Sequence, residues 1–348
     1  MSMRDGPVDG QIDKMVREMD FTLHGWSALQ PSISMEFYRT WIESGLGGEM
    51  AYLENHLTAK ADPTRLLPNA KSMIVLAQNY FPHPEDQGFP LKDSRVAMYA
   101  RGTDYHFWFK EKINNLIHQL KIIFPREEFL SFVDSGPILE RDFAYRAGLG
   151  WVGKNTCLIN EKKGSLFFLG EILTSLELQA TATPAADRCG TCTRCIDICP
   201  TQALVEPRKM DARKCISYLT IESKKVPDEK LRAKMTDWLY GCDLCQTVCP
   251  WNQKIWKEKL STSSMQAKTQ QTANELKWIL NSSNKELQKT FKKTPLSRAA
   301  GKGLKRNAII VATNLGLKEL RPDIQKLNAN SYFSELCQWS EKTFDSKT

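Results

Sequence analysis

CGTCTRCIDICP at residues 189–200 and CDLCQTVCP at residues 242–250 place seven cysteines in two tight groups, each ending in Cys-Pro. An iron–sulfur cube needs four thiolates. A C-x2-C-x2-C loop sets three of them on one cube, and the cysteine before proline reaches over to a second cube. The second group lacks its first cysteine, because position 239 is Leu239, and Cys215 supplies the missing ligand. The spacing therefore assigns Cys189, Cys192, Cys195 and Cys249 to one [4Fe–4S] cluster, and Cys199, Cys215, Cys242 and Cys245 to another. The competing reading is a pair of zinc sites, but zinc usually takes two separated C-x2-C pairs. Cys157 and Cys337 are left over and read as buried free thiols.

The rest of the chain sets limits around this motif. Its 348 residues exceed one compact core and imply two or three domains. The N-terminus alternates charges and has no apolar h-region. The best apolar run, Leu166 to Leu173, is cut by Glu171. We expect a cytoplasmic protein with no membrane segment, in which cysteines serve as ligands or free thiols. Residues 1–250 are close to neutral, so the net charge of +8 lies in residues 251–348. That asymmetry fits a polyanionic partner, a solvated helical surface or a protein-interaction module.

Residues 1–185 read as an α/β domain. Lys71 to Gln78 and Glu128 to Val133 have strand-length apolar runs, and residues 164–178 suggest another buried strand or hairpin. Phe107 to Phe124 has helical periodicity and ends before Pro125. A second helix is expected from Pro137 through Phe143 to Gly148. Residues 186–256 form a small domain held together by its clusters. Residues 257–284 hold a Ser/Thr/Gln/Asn-rich linker and a short helix near Leu276 to Leu280, and 285–348 read as two or three Lys-rich amphipathic helices.

Two motifs mislead. Gly148, Gly150 and Gly153 match G-x-G-x-x-G, but a helix precedes them where a dinucleotide site needs a strand. Lys154 followed by Asn155 also falls short of a P-loop, which needs a hydroxyl for Mg²⁺. These glycines are expected to shape a tight turn beside a bulky ligand. Asp104-Tyr105-His106 starts like the D-x-H-x-x-G signature of histidine-ligated cobalamin proteins, yet Phe109 replaces the glycine.

Val133 to Arg141, Ala147 to Thr156, Gly164 to Ile172, Cys215 to Glu222 and Tyr240 to Asn252 together resemble the epoxyqueuosine reductase family. Arg298 to Gly301 and Leu304 to Ala308 are similar to the start of that family's HEAT-like region. The resemblance implies an α+β multidomain protein. Its parts are a cobalamin-binding α/β domain (1–185), a ferredoxin-like two-cluster domain (186–256) and a C-terminal α-helical HEAT-like region (257–348). It implies reduction of epoxyqueuosine to queuosine at the tRNA wobble position by a monomer fed by an external electron donor. Cobalamin, cycling between cob(II)alamin and cob(I)alamin, would have no histidine ligand.

Converting an epoxide to an alkene takes two electrons and two protons. Asp134 ends an apolar strand, and a carboxyl enclosed by apolar groups has a raised pKa suited to proton donation. The plain alternative is a helix cap. By resemblance, Asp134, Asn155, Leu158, Leu169, Ser217 and the loop Cys242, Asp243, Leu244 and Cys245 border cobalamin. Tyr105 and His106 would line the substrate pocket or relay a second proton. Glu222, Lys224, Lys302, Lys305 and Arg306 would meet tRNA, so charge reversal at Lys305 and Arg306 is expected to weaken RNA binding. The rivals are a reductive-dehalogenase-like cobalamin enzyme, which typically carries a twin-arginine export signal not seen here, and an electron-transfer subunit. The second leaves the first 185 residues unexplained.

Overall fold

The structure, a computed structural model, describes residues 7–81, 89–180, 182–263 and 269–346. Its organising element is a four-stranded sheet in the order Leu23–Ala28, Ser72–Asn79, Phe167–Thr174, Phe129–Phe132. The three strands expected from apolar runs are present. Every pairing in this sheet is antiparallel, so the first region is α+β and not a wound parallel α/β unit. The strand Ser72–Asn79 pairs along its whole length with Phe167–Thr174, almost a hundred residues later. Alternation along the strands gives the sheet two apolar faces. Trp26, Ile74, Leu76, Phe168 and Ile172 meet Ile12 and Val16 of the helix Pro7–Glu18 and Phe109, Ile113 and Leu116 of the helix Tyr105–Ile123. Met73, Val75, Ala77 and Leu173 meet Phe143 and Ala144 of the helix Glu140–Arg146.

The glycine run has a structural task. A Cβ on Gly150 would lie 2.1 Å from the carbonyl oxygen of Ile159, and one on Gly153 would lie 2.4 Å from the Ile159 side chain. The close approach expected toward a ligand is an approach to the chain itself. It lets the strand Trp151–Val152 pair with Leu158–Ile159.

The cysteine region carries two short helices, Arg194–Asp197 and Leu244–Thr247, one within each group and in contact with each other. The helix Pro250–Ser263 runs through the start of the expected linker, and residues 264–268 lie outside the described residues. Beyond it come Thr269–Asn281, which contains the helix expected near Leu276 to Leu280, and then Asn284–Phe291, Lys302–Leu315, Arg321–Gln325 and Ser331–Ser346, one more than the two or three expected in that stretch. One core joins Leu276, Ile309, Leu336 and Phe344 of these helices to Ile216, Leu219, Leu239 and Tyr240 of the cysteine region and to Phe89 and Leu91. A parallel pairing of Arg95–Val96 with Trp238–Tyr240 ties in the first region as well. The borders placed at 185/186 and 256/257 thus cross shared packing. Among the described residues, no helix is long and apolar enough to cross a membrane.

The charge reading needs a correction here. Arg306 is 1% exposed, and its guanidinium donates to the carbonyl oxygens of Ser223 (2.6 Å), Lys225 (2.8 Å) and Leu219 (2.7 Å). Lys305 is also buried. Both lie on a helix whose residues Leu304 to Thr313 are all inside, and the Arg306 charge is spent on these carbonyls and not presented to RNA. Lys285, Lys289, Lys292, Lys293, Arg298 and Lys302 remain exposed. Arg306→Ala is therefore predicted to lower stability by about 3 kcal/mol, because it strands buried carbonyls. Lys302→Glu should change stability by less than about 0.5 kcal/mol. Chemical denaturation of both variants checks the contrast.

Candidate active site

All ten cysteines are free thiols. Burial pushes the Cys195 thiol up, and Cys249, Cys189 and Cys192 add to it. Burial likewise raises Cys215, with Cys199 adding, and Cys245, with Cys157, Cys242 and Cys215 adding. Among the described residues, no three His, Cys, Asp or Glu side chains converge on a point that would hold one metal ion. Nearby N–H groups point at sulfur: the amide of Ala203 lies 3.3 Å from Cys199 Sγ, and the Trp151 indole nitrogen lies 3.5 Å from Cys189 Sγ.

Beside the cysteines, two cavities share one wall. The first, about 280 Å³, is lined by Leu158, Phe167, Phe168, Leu169, Glu140 and Cys157 among others. The second, about 410 Å³, is lined by Tyr52, Cys215, Ser217, Glu222, Tyr240 and Arg298 among others. Asp134 and Tyr105 line both. Asp134 follows the edge strand Phe129–Phe132 and has φ +54°, a left-handed conformation that costs a non-glycine residue about 1 kcal/mol. Strain of this kind collects at functional sites. The residue is not the helix cap that its position allowed, because Leu139 caps Glu140–Arg146.

The Asp134 side chain is 46% exposed and holds a compact polar node. Its Oδ2 accepts from the Tyr105 hydroxyl at 2.6 Å and lies 3.1 Å from His106 Nε2. Asp104 starts the helix Tyr105–Ile123, accepts the His106 amide, and holds His106 Nδ1 at 2.7 Å. Both imidazole nitrogens are thereby engaged. Hydrogen bonds to Asp104 and Asp134 push the His106 pKa up to about 9. Apolar enclosure was expected to raise the pKa of Asp134. Desolvation does act that way, but the hydrogen bonds from His106 and Tyr105 outweigh it, and the pKa is lowered. At neutral pH the node is an Asp134 carboxylate facing a protonated His106.

Other expected contacts divide. Leu158 and Leu169 line the first cavity and Ser217 the second. Asn155 and Asp243 are buried and face the protein. The Asn155 amide donates to the Cys245 carbonyl oxygen at 3.1 Å, and Asp243 Oδ2 accepts the Met98 amide at 2.7 Å. Both therefore set the Cys242–Cys245 loop in place. Glu222 is in the second cavity, paired with Arg298 at 3.0 Å, whereas Lys224 is exposed and tied through its amide to Glu49. Cys337 is buried as expected, but Cys157 is only half-buried and lines the first cavity. Sequence reading missed Glu140, whose Oε1 accepts the Asp134 amide at 2.7 Å, and Glu171, which is fully buried. The only sequence signal for Glu171 was a lone acid inside an apolar run.

Comparison with known proteins accounts for this arrangement. Residues 188–252 match the 4Fe-4S double cluster binding domain, and residues 60–135 match the family described as epoxyqueuosine reductase QueG, DUF1730. The epoxyqueuosine reductase of Cyclobacterium marinum is 40% identical over 280 residues, spanning 77% of this chain and 84% of that one. The structure of the epoxyqueuosine reductase from Streptococcus thermophilus superposes with a TM-score of 0.85 at 28% identity, covering 99% of this chain and 92% of that one. An epoxyqueuosine reductase with a tRNA-Tyr epoxyqueuosine-modified stem loop gives a TM-score of 0.78 at 28% identity, covering 97% and 89%. With that identity sustained over most of both chains, this chain belongs to the epoxyqueuosine reductase family.

Proposed function

We propose that this protein reduces epoxyqueuosine to queuosine at the wobble position of tRNA, using cobalamin and two [4Fe–4S] clusters. The observation that carries the reading is the Asp134–Tyr105–His106 node on the wall common to two cavities, next to a double-cluster domain. Cys189, Cys192, Cys195 and Cys249 would hold one cluster, and Cys199, Cys215, Cys242 and Cys245 the other. One-electron carriers need a collector for a two-electron reduction, and bound cobalamin supplies that chemistry as a strong carbon-directed nucleophile. The residues present suit it. Leu158, Phe167, Phe168 and Leu169 give an apolar wall fit for a flat macrocycle, with Gln246, which follows the Cys242–Cys245 loop, in the same cavity and Ser217 in the second. His106 has both ring nitrogens committed to carboxylates, which fits a cofactor held without a histidine ligand.

The protein's own part is to hold the nucleotide and deliver protons. A wobble nucleotide lies in a single-stranded loop, where a base can be turned out into a pocket. The exposed basic stretch borders that pocket. The Lys293 carbonyl accepts the Asp104 amide at 2.8 Å, and Pro295 and Arg298 line the second cavity. Lys285, Lys289, Lys292, Lys293 and Lys302 would neutralise phosphates, giving an affinity that falls steeply with salt. Arg298 fixes Glu222 where a base edge would enter.

At the reacting end, protonated His106 would supply the proton, passed through Asp134 Oδ2 to the departing oxygen, with the Tyr105 hydroxyl holding Oδ2 in place. The donor role expected of Asp134 alone is thus shared with His106. Asp134→Asn is predicted to lower turnover by at least about 10²-fold, with cobalamin and RNA binding kept. Full activity in this variant removes Asp134 from the reaction. Because the folded His106 pKa is raised above 6.5, its proton is retained until pH rises through about 9, and its stabilising contribution is lost across the same window. Activity should therefore decline as pH passes about 9. Asp104→Asn, which removes the leading cause of the shift, should move that limb toward 6.5. A pH–rate profile of both forms measures the displacement.

A further inference from the structure

The turn from Gly153 to Cys157 joins the paired strands Trp151–Val152 and Leu158–Ile159. It carries the Gly-Lys pair that falls short of a P-loop. The Gly153 amide donates to the Cys157 carbonyl oxygen at 2.8 Å, which closes the turn. Two adjacent side chains on it reach the two cysteine groups. Lys154 Nζ donates to the carbonyl oxygens of Gly190 at 2.7 Å and Cys192 at 3.0 Å, within the loop Cys189 to Cys195. Asn155 donates to the Cys245 carbonyl oxygen in the second group. One turn thus holds both loops, and Cys157 and Leu158 at its end line the first cavity.

The cations around the loop Cys189 to Cys195 are not equivalent. Arg188 pairs with Glu161 at 3.3 Å. Arg208 pairs with Asp187, whose other oxygen accepts the Cys189 amide at 2.9 Å. Arg194 is exposed to solvent. Lys154 is half-buried, its two partners are neutral carbonyls, and among the described residues it pairs with no carboxylate. Its positive charge is therefore uncancelled, and partial burial limits the screening of that charge by salt. A cube held by four thiolates is anionic, and each electron it takes up adds one more negative charge. Local charge and hydrogen bonds set its reduction potential. Trp151, on the same hairpin, aims its indole N–H at Cys189 Sγ and works in the same direction.

We propose that Lys154 is a positioning residue that fixes the loop of the cluster held by Cys189, Cys192, Cys195 and Cys249 and raises the reduction potential of that cluster. The inference rests on the two-cluster reading and its cysteine assignment above. Reduction is a one-electron uptake from the external donor, with no bond made or broken. The ammonium stabilises the reduced, more negative cube over the oxidised one. Lys154 and Asn155 together hold the two loops on one short turn, which keeps the spacing between the clusters constant as the electron passes from one to the other.

The test is an anaerobic redox titration followed by EPR on the iron-loaded full chain, as wild type, Lys154→Gln and Lys154→Arg. Glutamine keeps an N–H donor near the two carbonyls and removes the charge, whereas arginine keeps both. We expect about eight irons per chain in all three. In Lys154→Gln, the reduced-to-oxidised ratio of one cluster at a fixed potential should fall by about tenfold, a shift of about 59 mV to more negative potential for one electron. The other cluster should move less, and Lys154→Arg should titrate like wild type. Two unshifted steps in Lys154→Gln would overturn the proposal. So would loss of half the iron in that variant, because Lys154 would then only build the loop. The titration uses neither cobalamin nor RNA, so wild-type protein inactive on epoxyqueuosine-modified RNA would refute the function reading alone and leave this result decisive.

Discussion

A single carboxylate, Asp134, accepts from Tyr105 and faces His106 while held in a left-handed backbone conformation. Much of the molecule is arranged to keep it there. The edge strand Phe129–Phe132 delivers it to the end of the sheet, Glu140 receives its amide, and Asp104 fixes the imidazole that faces it. Shielding by apolar groups would by itself leave this carboxyl protonated. The two hydrogen bonds reverse that balance and move the proton to His106. The result is a charged pair at a cavity wall, with the Glu171 carboxyl, its pKa raised by burial, in the sheet behind it.

The second constraint is electron supply. The cysteine region is too small to bury a core of its own, and it shares one with the helices that follow. Arg306 and Asn307 act as ties in that joint: the Asn307 amide donates to the carbonyl oxygens of Thr220 and Leu239, on either side of the segment leading to Cys242. Asn155 and Asp243 fasten the other side of the same loop to the sheet region. Cluster loops placed this way are held by both halves of the protein, which favours a fixed spacing between an electron source and the adjoining cavities.

Chemistry set by local spacing was legible in the sequence. The cysteine pattern marked the double-cluster segment, and apolar runs found the strands at 72–79 and 129–132 and the helix starting at Tyr105. Features decided by long-range packing were not. Strand direction depends on which distant segments pair, and nothing within Ser72–Asn79 states that its neighbour arrives from residue 167. Lys305 and Arg306 sit in a basic run that reads as surface, yet the helix that carries them is enclosed by partners before and after it in the chain. The ionisation of Asp134 was misjudged because its two donors come from another helix. Glu171 was visible only as an interruption in an apolar run, and its meaning depends on what lies across the sheet.

The account stands or falls on an iron–sulfur protein that takes up cobalamin without lending it a histidine. The most direct measurement is an anaerobic EPR and visible spectrum of the iron-loaded protein mixed with cobalamin, before and after dithionite. The account predicts about eight irons per chain, as two four-iron clusters require, and a cob(II)alamin signal lacking coordination by a protein imidazole. Iron–sulfur clusters with no cobalamin uptake, or a cobalt signal split by a histidine nitrogen, would contradict it.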